Sequence, residues 1–321
     1  MTSIVGNTAA QTQFAAALAG GALHHAWLIA GPPGVGKGSF VRAAAATLIG
    51  GGAQRDSLIA SRGHPDYVLI EREPWTTGST PRVVPLDERK GDEPIARSIR
   101  MAQVQALAPK LAMRPSFGER RAIVIDAVDD LERGGANALL KNLEEPPAGT
   151  VFLLVSHAPG GLLPTIRSRC RLLRFGLLNE AEVGQVLRAV EPELGDAEVA
   201  ALAAAGEGSP GRALRFAGLD VRGLDRAITA IAGDGDPDNA QRSALARSLA
   251  GKAAQARYEA FLERVPAFIA QAARRRSGAA LQATLGAHAR ARDVAGAALG
   301  LSLDAQATVW EMAGVLAGLP R

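Results

Sequence analysis

The chain has 321 residues, 47% of them apolar and 21% charged, which is enough to bury a core without cross-links and far from the profile of a disordered chain. Its single cysteine, Cys170, excludes a disulfide framework and a multi-cysteine zinc site, and 36 basic residues against 32 acidic ones leave a net charge of +4, too small to establish a nucleic-acid partner. The opening MTSIVGNTAAQTQF has no basic segment leading into an apolar run, and no stretch nears the ~20 apolar residues of a membrane span, so the expectation is a cytoplasmic protein with no membrane partner.

In chain order, HHAWLIA at 24–30 is a short apolar run that stops at Gly31, and the alanine-rich stretch 39–48 has helical spacing. Strand, glycine loop and helix follow one another there. A second apolar run, 67–70, follows the turn-like His64-Pro65-Asp66. Residues 71–94 are rich in proline, glycine and charge without a period, which predicts a surface excursion. Helical spacing returns from Ile95 to about Leu111. RAIVID at 121–126 and VFLLV at 151–155 read as buried parallel strands, a helix runs through 136–143 until Pro146 and Pro147 stop it, and RLLRF at 171–175 is a last strand. The alternation predicts an α/β P-loop domain with a mainly parallel sheet. Beyond 176 only helical patterns follow, at 180–190, 196–205, from near Arg212 and from 224 onward, with pattern changes near 176 and 220.

The loop GPPGVGKG at 31–38 carries the chemistry. Gly31, Gly34 and Gly36 let the backbone curl around phosphate, Lys37 supplies an ammonium, and the following helix adds its electropositive N-terminus. A standard loop continues with Ser or Thr, whose hydroxyl helps hold magnesium, but here the residue is Gly38. Ser39 is rotated about 100° around a helix and is no substitute. Asp126 ends a strand where a carboxylate can face a phosphate–magnesium site, yet the position after it, where a second carboxylate would activate water, is Ala127. Weak ATP or ADP binding and a purely structural loop are both open, while hydrolysis by this chain alone is not expected.

Four segments together, 31–37, 122–126, NALLKNLEEPP at 137–147 and LPTIRSRC at 163–170, resemble the AAA+ subunits of the bacterial replicative clamp loader. Gly38 and Ala127 bring the resemblance toward the delta-prime type and away from the ATP-hydrolysing tau/gamma type. The resemblance implies a RecA-like module over 1–175, a helical lid over 176–219 and a helical collar over 220–321. It implies tau/gamma and delta subunits as partners, with a sliding clamp and primer–template DNA reached through the assembly. ATP and magnesium would be used by those partners, and this chain itself would require no cofactor. In Ser168, Arg169 and Cys170 the resemblance places an arginine finger, Arg169, offered in trans to a neighbour's nucleotide. Such a guanidinium neutralises charge on a transferring γ-phosphoryl group.

Ser156 resembles a first sensor and Arg212 a second one, with a strand-end hydrogen bond and a lid salt bridge as the respective alternatives. Lys141 and Glu145 stand four apart on a helix, which stabilises it and assigns no catalytic role. Relatives with a four-cysteine zinc module carry it where this chain has no cysteine, and His64 reads as a turn residue, so no zinc is expected. Two other functions compete: an active ATPase subunit, disfavoured by Gly38 and Ala127, and a stand-alone DNA-binding protein, suggested by Arg167, Arg169, Arg171 and Arg174 but lacking a helix-turn-helix, zinc-finger or aromatic stacking pattern.

Overall fold

The computed structural model describes residues 4–21, 23–50, 52–74, 95–301 and 303–320; most of the 71–94 excursion, Trp75 included, lies outside the described residues. The chain divides into two compact units, one of Met1–Val186 with Gly208–Gly211 and one of Leu187–Glu207 with Arg212–Arg321.

In the first unit the strands β1 (Ala26–Ala30), β2 (Tyr67–Glu71), β3 (Arg121–Asp126), β4 (Thr150–Ser156) and β5 (Arg171–Arg174) form one sheet in the order β2-β3-β4-β1-β5. Every neighbouring pair is parallel. The apolar runs of β1, β3 and β4 are buried from end to end because helices cover both faces. Alternate residues serve alternate faces. Leu28, Ile123, Ile125, Phe152 and Leu154 share a core with Val104, of α4 (Met101–Gln105), and with Leu139 and Leu143, of α6 (Arg133–Glu144). On the other face Trp27 meets Phe14, from α1 (Thr8–Ala19), edge-on at 5.1 Å, and Phe14 meets Phe40, from α2 (Lys37–Ile49), at 5.5 Å.

The expected helix over 95–111 is two short ones, α4 and α5 (Ala108–Leu111), after α3 (Ala53–Ala60) earlier in the chain. Two causes are visible. Pro109 sits at the start of α5, where its missing N–H costs nothing, and Ile99 is drawn into extended pairing, its N–H donating to Asp130 O and its carbonyl accepting from Glu132 N. The helix expected through 136–143 begins earlier, at Arg133. Gly134 and Gly135 lie in its first turn, where a Cβ on Gly134 would stand 2.7 Å from Met101 Sδ, so glycine lets α6 approach α4.

Asp66 and Arg121, 0% and 2% exposed, clasp the edge of this sheet. Asp66 accepts from the backbone N–H groups of Ser116 and Phe117 at 2.8–2.9 Å, while Arg121 donates to the carbonyls of Lys110, Met113 and Arg114.

The second unit is all helix, built from α9 (Asp196–Gly206), α11 (Val221–Asp234), α12 (Ala240–Ser248), α13 (Gln255–Ala273), α14 (Gly278–Leu301) and α15 (Ala305–Ala317). Leu224, Ile228, Phe261, Val265, Met312 and Leu316 are buried, while α14 contributes Ala287, Ala291 and Ala298. Two further helices, α8 (Glu180–Val190) and α10 (Pro210–Arg215), contain residues of both units.

Candidate functional site

The parallel register lines up Ala30, Ser156 and Arg174 at the C-terminal edge of the sheet, and Asp126 beside Glu71 at the same edge. This is where ligands bind in open α/β sheets. The glycine loop leaves β1 at this edge. Gly31 must be glycine, since a Cβ there would lie 2.0 Å from the carbonyl oxygen of Phe175. Gly34 and Gly36 take φ values of 75° and 92°, a left-handed curl that glycine adopts without strain.

Lys37, the first residue of α2, is 3% exposed, and its Nζ donates to the carbonyls of Gly31 and Pro32. Burial pushes its pKa down to about 8, against the opposing pull of Asp126 and Asp129. The next two loop carbonyls are also engaged: Ser209 Oγ donates to Pro33 O at 3.0 Å and Gly211 N to Gly34 O at 2.9 Å. All four carbonyls of Gly31 to Gly34 therefore accept hydrogen bonds from within the first unit or its own loop.

Gly38 lies beside Asp126. A Cβ built on it would stand 2.8 Å from Asp126 Oδ2 and 3.6 and 3.7 Å from the two terminal nitrogens of Arg42. Ser39 is exposed. Ala127 is buried. Burial raises the pKa of Asp126, and Arg42 is the strongest of the charges that oppose the rise, ahead of His157 and Lys37.

Asp129 is fully committed elsewhere: it accepts from Ser156 Oγ at 2.9 Å and from the N–H groups of His157 and Ala158 at 2.7 and 3.2 Å. Ser156 is thus tied to Asp129 rather than standing alone at the strand end. Asp130 pairs with Arg72 at 3.1 Å. A divalent cation fits poorly here, because Gly38 offers no hydroxyl, Ala127 no carboxylate, and a guanidinium already flanks Asp126.

Arg169 lies at the other edge of the sheet. It follows α7 (Pro164–Ser168) and precedes β5, whose Arg171 stands beside Trp27 near the start of β1. The strand length between that level and Gly31 is on the order of 15 Å. Arg169 Nη2 pairs with Glu144 Oε1 at 2.8 Å and Nη1 donates to Thr165 O at 3.0 Å. Its side chain is 34% exposed, and no hydrogen bond or ion pair among the described residues joins it to the loop. Ser168 Oγ donates to Thr165 O. Burial pushes the Cys170 thiol up to about 12, so it stays protonated and packs as an apolar group. Arg171 stacks over Trp27 at 5.1 Å.

Arg212 belongs to the second unit, where it pairs with Glu207 at 2.5 Å and Glu263 at 2.8 Å. His64 is buried in its turn, with Nδ1 accepting from Asp66 N. Among the described residues no group of His, Cys, Asp or Glu side chains is placed to hold a metal ion.

Arg42, Asp129 and Glu144 are the site residues that the sequence did not single out as such. A signal existed for Arg42, four residues after Gly38 and so on the same face of α2. For Asp129 and Glu144 no local pattern points to Ser156 or Arg169, since both pairings depend on how strands and helices meet.

A five-stranded parallel sheet in this order, a glycine loop at its C-terminal edge and an all-α region after it define an AAA+ P-loop protein. The family model described as "DNA polymerase III, delta subunit" matches residues 6–179, more than half of the chain, and the chain belongs to that family. It is 34% identical over 216 residues to the DNA polymerase III subunit delta-prime of Pseudomonas aeruginosa, covering 64% of this chain and 60% of that one. Against subunit tau of Escherichia coli the identity is 32% over 213 residues, covering 64% of this chain and 30% of that one. The match thus spans less than two thirds of these relatives' length. Among solved structures, a gamma subunit-related protein from Thermotoga maritima is 16% identical with a TM-score of 0.43, covering 93% and 95% of the two chains.

Proposed function

We propose that this chain is a non-hydrolysing structural and regulatory subunit of the replicative clamp loader that supplies Arg169 as an arginine finger to a neighbouring subunit's nucleotide. The observation that carries this reading is the separation of Arg169 from the chain's own loop. Parallel register sets them at opposite edges of one sheet, so a guanidinium in this position serves a phosphate in another subunit or none. Gly38 and Ala127 support the non-hydrolysing half of the reading, because they remove the hydroxyl and carboxylate that magnesium and water activation require. Identity alone does not separate the delta-prime and tau relatives, which match almost equally; Gly38 and Ala127 favour the delta-prime reading.

On this reading tau/gamma and delta subunits are the partners and supply the ATP and magnesium chemistry. The sliding clamp and primed DNA are met through the assembly, and the three segments 1–175, 176–219 and 220–321 act as module, lid and collar. Ser156 and Arg212 are sensor positions whose carboxylate partners hold them in place. No described helix is long and apolar enough to cross a membrane.

The test is reconstitution with tau/gamma and delta subunits. The purified chain alone shows no magnesium-dependent ATP turnover, and Arg169→Ala leaves the complex assembled while hydrolysis at the one site it serves falls about 10³-fold, the usual worth of an arginine finger. Robust turnover by the chain alone contradicts the non-hydrolysing assignment.

A further inference from the structure

We propose that the guanidinium of Arg42 takes the place of the divalent cation at the glycine loop, so that this chain binds the polyphosphate of a nucleoside di- or triphosphate without metal. In an active P-loop the residue after the lysine holds magnesium through its hydroxyl, and a strand-end carboxylate supports it. Here the first is Gly38. The space that a side chain would fill at that position lies between Asp126 Oδ2, at 2.8 Å from the built Cβ, and the Arg42 nitrogens, at 3.6 and 3.7 Å. Gly38 and Arg42 are one helical turn apart on α2, and a Cβ at 38 would crowd Asp126 Oδ2 while touching the guanidinium only at van der Waals distance.

Arg42 is suited to that place. Its side chain is exposed, and it makes no hydrogen bond or ion pair with a described residue, so its fork of N–H donors is available to phosphate oxygens. Together with the Lys37 ammonium and the N-terminal dipole of α2 it supplies the positive charge that a polyphosphate needs. A fixed cation of this kind neutralises bound phosphate and cannot redistribute its ligands as water attacks, so binding without turnover follows from the same geometry.

This inference rests on the non-hydrolysing reading but not on Arg169, and the experiment separates them. The full-length chain is titrated by calorimetry with ATP, ADP and inorganic tripolyphosphate, in magnesium and in excess EDTA. Wild type binds in EDTA at least as tightly as in magnesium, which competes for the same phosphate oxygens. Arg42→Ala binds about tenfold or more weakly in EDTA, as expected for loss of charge-assisted hydrogen bonds, while its thermal unfolding is unchanged; Arg42→Gln serves if the alanine variant unfolds early. Equal affinity for ATP and tripolyphosphate shows that the phosphate chain is what is recognised, and tighter ATP adds a base contact to it. Absence of binding by wild type, binding that needs magnesium, or unaltered binding by a folded Arg42 variant overturns the proposal. None of these results changes what an Arg169→Ala assembly does, so the two readings fail separately.

Discussion

The two edges of the parallel sheet are built on opposite plans. At the C-terminal edge the loop and the strand-end serine are tied to the chain itself: Lys37 on Gly31 and Pro32, Ser209 and Gly211 on Pro33 and Gly34, Ser156 on Asp129. At the N-terminal edge Arg169 is held by an exposed carboxylate and a helix-end carbonyl. A half-exposed ion pair of that sort contributes little to stability and is readily exchanged for a phosphate. The difference teaches that a recognisable glycine loop does not locate the chemistry. On the proposed reading the loop organises the module, and the group that acts on a nucleotide outside the chain stands at the far end of the same strands.

The comparison can be broken most forcefully at Arg169. Arg169→Lys keeps the charge but loses the planar fork, and single-turnover hydrolysis at the neighbouring site is expected to fall about 10²-fold. Next comes the loop's architecture. Gly31→Ala forces a Cβ against the Phe175 carbonyl at 2.0 Å, and denaturant unfolding should register a loss of about 3 kcal/mol or more, because backbone must move on both sides.

A third test uses pH. The depressed pKa of Lys37, about 8, stems from burial, and phosphate needs the ammonium. Polyphosphate affinity should therefore be level between about pH 7 and 8, where the terminal phosphate is ionised, and fall above that by at most about tenfold per unit, well before an ordinary lysine titrates. The smallest effect is at Glu144: Glu144→Ala should change unfolding free energy by under ~1 kcal/mol, which would show that the carboxylate holding Arg169 is a loose tether and no structural keystone.

The strands β1, β3 and β4 were legible from sequence because burial on both faces writes each as an apolar run; β3 begins and ends where RAIVID does. The loop was legible because phosphate binding demands glycine and lysine at fixed spacing. What stayed hidden depended on contacts between elements. The region 95–111 has helical spacing throughout, yet Ile99 pairs with backbone from 130–132 and the helix breaks. Asp129 looks like one of two acidic loop residues until β4 delivers Ser156 and two N–H groups to it. Arg42 reads as an ordinary helix-surface arginine until Asp126 arrives from β3 beside Gly38. Residue types announce chemistry, but their partners come from topology.

The most direct measurement compares the two edges in one assay. DNA-stimulated ATPase and clamp loading are recorded for reconstituted assemblies in which this chain carries Arg169→Ala or Lys37→Met, each checked for intact assembly. The account predicts that Arg169→Ala abolishes hydrolysis at the neighbouring site while Lys37→Met leaves the hydrolysis rate of the assembly unchanged. A loss of hydrolysis with Lys37→Met and normal turnover with Arg169→Ala would contradict it.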